Sequence, residues 1–376
     1  MGNARQTSRR QFLKGQAAVQ SLGDLIAPTD DPQLSADARL SADARSSAAV
    51  ESAPEVYLLT LGRRAMACQF EVLLNAGQYA HASEVGLQAL DLVDRLEEQM
   101  TVFRDTSEIS RINRFAADRP VEVEPRLFWL LLRAAELHRE TDGAFDITSG
   151  PLTKVWGFYR RAGAIPQEAD LAEALGRLSS DALEFGQAAC SVQFRQPGME
   201  LNLGAIGKGY ALDRVAELMV GCGIEHFLWH GGQSSVLARG ACGLHSAGGW
   251  TVDLRHPLRP ERSIVEIRLR DRALGTSGAG TQFFRHGGRR YGHILDPRTG
   301  RPAEGVFSAT VLASTAADAD ALATALYVLG PQRAQEWCEQ HPEVGLLMFV
   351  PGQSRNAVEL ITCGLAPEDW RLTGEL

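Results

Sequence analysis

The stretch GAIGKGYALD, Gly204 to Asp213, sets three glycines and one lysine ahead of a run that reads as a helix, the outline of a phosphate loop. Which phosphate loop it is decides the fold. A Walker A loop needs four residues between its first glycine and Gly-Lys-Ser/Thr, whereas only Ala205 and Ile206 separate Gly204 from Gly207, and Gly209 replaces the hydroxyl residue. The dinucleotide pattern G-x-G-x-x-G fails as well. Upstream, SVQFRQPGMELNLGA (Ser191 to Ala205) reads as a hairpin turning at Pro197-Gly198, whose second strand delivers the chain into the loop. Downstream, a helix is predicted from about Lys208 to Val220.

Working outward, the folded body is predicted to begin near VYLLTLG (Val56 to Gly62). Phe70, Val72 and Leu74 alternate with polar or small partners and predict a strand, and Val85, Ala89, Val93, Leu96 and Met100 recur at helical spacing. A second helix follows Pro125 and runs to Gly143. HFLWHGG, WTVDLRHP, SIVEIRLR and FSATVLAS read as strands, and AADADALATALYVLG and PQRAQEWCEQ as helices. Strands in hairpin order mixed with helices predict an α+β fold, not a regularly wound parallel sheet.

The chain has 376 residues, 44% hydrophobic and 22% charged, which allows a large core and excludes disorder of the whole. A net charge of -8 argues against nucleic acid or an anionic membrane as partner, since both need a concentrated basic face. The six cysteines form no C-x-x-C pair, so neither a zinc cage nor a redox dithiol is expected, and most should be buried thiols. No apolar run is long enough to span a membrane. Residues 1–54 read as a targeting peptide and a Ser/Ala/Asp linker: SRRQFLKG, with Arg9-Arg10 ahead of Phe12 and Leu13, resembles a twin-arginine export signal. The same residues also suit a basic disordered tail, and Asp24 interrupts the apolar stretch that should follow. Residues 55–376 are then the catalytic domain.

Several polar constellations could carry chemistry. Asp320 and Thr324 stand four residues apart on one helix face, the oxygen ligands a hard cation such as Mg²⁺ prefers, although an acid near a helix start also complements the dipole. The glycine loop, the helix start behind it and Lys208 make a pyrophosphate site, or a strand-to-helix turn with a solvated lysine. His293 and Asp296 in RRYGHILDPRTGRP offer a proton acceptor and its orienting acid, or a structural histidine. Asp142 and Asp146 in TDGAFDITSGPL can accept hydrogen bonds from a ligand or cap the next element. RALGTSGAG is small enough to let a ligand pack on the backbone, or to turn the chain.

In this order, AMACQFEVLL, MTVFRDTSEISRIN, TDGAFDITSGPL, LNLGAIGKGYALD, GTSGAG, YGHILDPRTGRP and ADALATALYVLG resemble the FAD:protein FMN transferase (ApbE-like) family over nearly all of the chain beyond residue 55. The resemblance implies a T-fold-like, two-lobed architecture. It implies cleavage of FAD at its pyrophosphate and transfer of FMN to a Thr or Ser hydroxyl of an exported acceptor protein, with release of AMP. It places Met66, Phe103, Ala144, Phe145, Asp146, Asn202, Lys208 and Ile294 at the FAD site, Ala205 (through its carbonyl), Asp320 and Thr324 around Mg²⁺, and His293 and Lys208 at the catalytic centre. Two positions depart from the family. Asn202 stands where many members have aspartate, and Cys68 where threonine is usual; either alters FAD affinity or the balance between transfer and hydrolysis. The rival readings are a metal-dependent FAD pyrophosphatase with water as nucleophile and a non-catalytic FAD-binding protein.

Overall fold

A computed structural model describes residues 56–376 apart from 161, 244–247, 279, 281 and 355. The export signal predicted in residues 1–54 lies outside the described residues, as does Ala279 of the GTSGAG segment.

Alternation along the strands builds one eight-stranded sheet, antiparallel at every pairing. In order across the sheet its members are β1 (Leu58–Ala65), β2 (Cys68–Asn75), β6 (Phe227–Gly231), β7 (Ser235–Arg239), β10 (Arg272–Gly278), β13 (Ser308–Ala313), β14 (Gly345–Pro351) and β15 (Val358–Cys363). Because side chains point to opposite faces in turn, Phe227 and Trp229 of β6 enter one core while Leu228 between them enters another. The first core lies under helices α1 (Ala82–Met100), α6 (Gly207–Gly221) and α7 (Ala316–Gln340). The second lies under the small sheet β16-β9-β8, made of β8 (Trp250–His256), β9 (Arg259–Leu269) and β16 (Trp370–Leu372). Covered on both faces, β13 is buried at all six residues, Ser308 and Thr310 included. Each large apolar side chain fully buried here stabilises the fold by about 1.5–3 kcal/mol.

The helices follow local rules. Val85, Ala89, Val93, Leu96 and Met100 are the buried stripe of α1, as their spacing predicts. Helix α3 (Pro125–Glu140) opens with Pro125 and a cap in which Glu124 accepts the Leu127 N–H at 2.9 Å. It stops at Glu140, short of Gly143, because Asp142 and Gly143 turn into the left-handed region (φ 51° and 72°). Helix α7 breaks at Gly330 (φ 76°, ψ 174°) ahead of Pro331, the division the sequence predicts between its two helical segments. Between α1 and α6 lie α2 (Glu108–Phe115), α4 (Gly150–Val155), α5 (Glu168–Leu175) and a three-stranded sheet of β3 (Val121–Glu122), β4 (Leu183–Gly186) and β5 (Ser191–Phe194). Side chains of this second lobe, Leu127 and Val192 among them, continue the first core, so the two lobes share one interior.

Two expectations are corrected. The turn at Pro197-Gly198 exists, with Gly198 at φ 79°, but no hairpin forms across it. Strand β5 pairs with β3 and β4 instead, and Leu201 and Asn202 give their N–H groups to Asn113 Oδ1 and Ile147 O, both at 2.7 Å. With these donors satisfied elsewhere, the stretch before the glycine loop makes only an isolated parallel bridge, Glu200 with Ser149, and no hairpin ladder. Nor are the thiols mostly interior: Cys338 alone is buried and Cys222 is exposed.

Candidate active site

The N-terminus of α6 is where the glycine loop does its work. Gly209 N–H, in the helix's first turn, has no partner within its own helix and donates to Asp320 Oδ2 of α7 at 2.7 Å. The debt is reciprocal: Asp213 of α6 accepts the first N–H groups of α7, Ala316 at 2.8 Å and Ala317 at 2.9 Å. The two helices can meet this closely because Gly209 lacks a side chain; a Cβ there would lie 2.0 Å from the Ala316 carbonyl oxygen. On the other side of α7, Gly275 of β10 meets the Ala319 carbonyl in the same way, at 2.4 Å from an added Cβ. Asp320 is therefore fixed by backbone contacts on both flanks.

Around this junction opens a cleft of about 800 Å³. It is lined by Met66, Ala144, Phe145, Asp146, Asn202, Ala205, Lys208, His293, Ile294, Asp320 and Thr324, every site residue predicted from sequence except Phe103. Phe103 is 69% exposed and packs on Tyr159, with ring centroids 4.8 Å apart. The turn joining β1 to β2 carries Met66 and Ala67 at φ 48° and 60°, a conformation costly for residues with a side chain, which places both on the cleft wall.

Asp320 is buried, and burial pushes its carboxyl up to about 6; the charge of Lys208 and hydrogen bonds from Ser235 Oγ (2.9 Å) and Gly209 N–H oppose that rise. Both of these hydrogen bonds fall on Oδ2, which leaves the lone pairs of Oδ1 for another partner. Thr324 Oγ1 lies 2.9 Å from Ser277 Oγ, one turn beyond Asp320 on the same helix. Among the described residues no group of three His, Cys, Asp or Glu side chains forms a metal cage. A cation in the cleft would thus be held by one carboxylate and neutral oxygens, the donor set that suits a hard ion retaining water or phosphate ligands.

Lys208 Nζ hydrogen-bonds Ser234 Oγ, and Ser234 also lines the cleft. His293 follows strand β12 (Arg289–Gly292), which pairs with β11 (Phe283–His286) in a separate two-stranded ribbon. Its Nδ1 lies 3.0 Å from the Gln282 carbonyl oxygen. A carbonyl only accepts, so Nδ1 carries the proton of the neutral ring and Nε2 keeps its lone pair. Burial, reinforced by the charge of Lys208, holds the imidazole below its ordinary pKa.

The other predicted residues shape the walls. Asn202 Oδ1 accepts the Gly204 N–H at 2.9 Å and so bends the loop, a bond that an aspartate would make equally well. The departure at this position lies in the charge and in the amide N–H, which Asn202 Nδ2 gives to Thr153 Oγ1 at 3.5 Å. Asp146 is committed internally: Oδ1 accepts from Thr148 N–H, Thr148 Oγ1 and Ser180 Oγ, and Oδ2 lies 3.2 Å from His138 Nδ1. It holds Ala144 and Phe145 against the cleft and presents no free oxygen pair. Asp296 is engaged by the Arg298 guanidinium at 2.8 and 2.9 Å and makes no bond to His293, so the orienting group is the Gln282 carbonyl. Phe284 stacks on Tyr291 (5.2 Å, 13°) and meets Phe158 at 5.6 Å, an aromatic wall suited to a flat ring.

Sequence reasoning missed Asp213, Ser234, Ser235 and Ser277. Asp213 stood inside the quoted glycine stretch, but nothing local signals that its partner is a helix start about a hundred residues away. The serines lie in GGQSS and GTSGAG among other small residues.

The profile of the ApbE family matches residues 66–348. The chain is 33% identical over 264 residues to an FAD:protein FMN transferase of Vibrio cholerae serotype O1, covering 69% of this chain and 77% of that one. It is 33% identical over 276 residues to an FAD:protein FMN transferase of Treponema pallidum, covering 70% and 76%. Among solved structures it resembles the ApbE protein of Thermotoga maritima (TM-score 0.73, 28% identity, 81% of this chain and 96% of that one) and the flavin transferase ApbE of Vibrio cholerae (TM-score 0.71, 26% identity, 82% and 98%). With the profile spanning most of the chain and the cleft built from its motifs, this protein belongs to the ApbE family.

Proposed function

We propose that this chain is an FAD:protein FMN transferase that works with Mg²⁺ on an exported acceptor. Its curated relatives carry that enzyme name, and the convergence of Lys208, Asp320 and His293 on one cleft is the observation that carries the reading. FAD brings two phosphates, and Lys208 with the positive end of the α6 dipole supplies compensating charge. Asp320, Thr324 and the Ala205 carbonyl would hold Mg²⁺, whose contribution when bound is to neutralise phosphate charge. The aromatic wall and the Met66 turn would position the flavin end.

In the reaction the acceptor Thr or Ser oxygen forms a bond to the FMN phosphorus, and the bond from that phosphorus to the bridging oxygen of the pyrophosphate breaks. AMP leaves with that oxygen, and the hydroxyl proton passes to His293 Nε2. Lys208, anchored by Ser234, stays beside the phosphates as charge develops, since phosphoryl transfer depends mostly on positioning and electrostatics. The Arg9-Arg10 sequence supports an acceptor on the exported side of the membrane.

The test is one incubation of protein lacking residues 1–54 with FAD, Mg²⁺ and an acceptor domain bearing its threonine or an alanine in its place, read by intact mass and nucleotide chromatography. Threonine-dependent gain of FMN with equimolar AMP, lost on chelation, is the expected result. Free FMN and AMP without labelling would replace the reading by a pyrophosphatase, and unchanged bound FAD would replace it by a binding role.

A further inference from the structure

The ribbon β11–β12 stands apart from the large sheet, and its two ends differ. Its base belongs to the cleft: Phe283 and Phe284 line it, and His293 follows its last residue. Its tip, Arg285 to Arg289, is exposed and turns through Gly287 and Gly288, at φ 58° and 79°.

The strand register sets Arg285 opposite Arg290 and His286 opposite Arg289, two consecutive cross-strand pairs without an acid. Like charges directly opposite destabilise a ladder, and a two-stranded ribbon has little stability in reserve. The fold compensates in part. Glu304 takes Arg289 at 2.5 Å, and the Arg290 guanidinium lies 3.8 Å from the centre of the Phe283 ring. Among the described residues no ion pair reaches Arg285 or His286. This concentration of cations occurs on a chain whose net charge is -8.

We infer that the tip of β11–β12 docks an acidic segment of the acceptor protein beside the hydroxyl that receives FMN. The inference rests on the transferase reading above and extends it to the partner. The phosphates of FAD do not account for the tip, because Lys208 and Asp320 lie within the cleft whereas Arg285 and His286 are outside its lining. An anionic side chain laid along the ribbon would relieve the like-charge pair of Arg285 and Arg290. It would also place the acceptor next to the strand that leads to His293.

The experiment compares wild type, Arg285→Ala and Arg285→Glu in FMN transfer to an acceptor domain, at low and moderate salt. A second acceptor has the acidic residues within about ten positions of its threonine changed to amides. FAD binding is followed separately by flavin fluorescence, and folding by thermal melts, which removal of a like charge should leave unchanged or raise. Arg285→Glu should raise KM for the acceptor by about tenfold at low salt and less at moderate salt, with kcat and FAD affinity within about twofold of wild type. The amide acceptor should show a similar loss with wild type and little further loss with Arg285→Glu. Unchanged acceptor KM in Arg285→Glu, a loss indifferent to the acceptor's acids, or weakened FAD binding would each overturn the docking surface. Absence of transfer by wild type would instead remove the transferase reading on which it rests.

Discussion

Gly209 of α6 donates its N–H to Asp320 of α7 at 2.7 Å, and four residues further along α6 Asp213 returns the favour to the start of α7. The helix that carries Lys208 and the helix that carries Asp320 and Thr324 thus cap one another. Distances within the cleft are set by this mutual capping as much as by the side chains that line it.

Asp213→Ala removes the acceptor for two helix N–H groups and should lower unfolding stability by about 1–2 kcal/mol, read as a shifted urea midpoint with unchanged slope. Burial pushes the Asp213 carboxyl up to about 7, while hydrogen bonds from Ala316 and Ala317 oppose the rise. A folded value above the unfolded one near 3.8 means that the folded state retains a proton the unfolded chain has released. The stability contributed by this group is therefore present below about pH 4 and erodes as pH rises through 7. Asp213→Asn should flatten stability over that window, and a slope equal to wild type would count against the assignment.

Gly209→Ala forces a methyl group into the Ala316 carbonyl, so α6 and α7 must separate. The expected cost is about 3 kcal/mol or more, because backbone cannot yield as a flexible side chain would. Thermal melting should show it, and transfer should fall further than the folded fraction accounts for, since Lys208 and Asp320 move relative to one another.

In the proposed Mg²⁺ site, the Asp320 carboxyl, pushed up to about 6 by burial, would link metal affinity to protons. Below that value a cation must displace a proton, so the Mg²⁺ concentration giving half-maximal transfer should climb by up to about tenfold per pH unit and level off above pH 7. Asp320→Asn should abolish transfer at any practical Mg²⁺ concentration, and near-normal turnover in that variant would refute the metal site.

His293 works as a proton acceptor only when neutral. Its depressed pKa keeps it neutral at pH 7, so the acid limb of the kcat profile should lie below 6.5. In the linkage sense, protonation is disfavoured in the folded state, so this residue costs stability as pH falls through that region. His293→Ala should lower kcat by about 10²–10⁴-fold and remove the acid limb, with FAD affinity little changed by fluorescence titration.

By itself the sequence determined those features that rest on local rules or on residue identity. The stripe from Val85 to Met100 predicted α1, Gly330-Pro331 predicted the break in α7, and the order of motifs around Lys208, His293 and Asp320 pointed to the cleft that gathers them. Tertiary structure alone decided the partners. Periodicity cannot show that the N–H groups of Leu201 and Asn202 are taken by distant segments, so no hairpin forms there, or that Phe103 stays off the cleft wall. Nor can it show that Ser235 and Gly209 converge on one oxygen of Asp320, 85 and 111 residues away. Such bonds form only after burial has brought the segments together, because a buried donor must find some acceptor and the fold, not the neighbouring sequence, determines which is within reach.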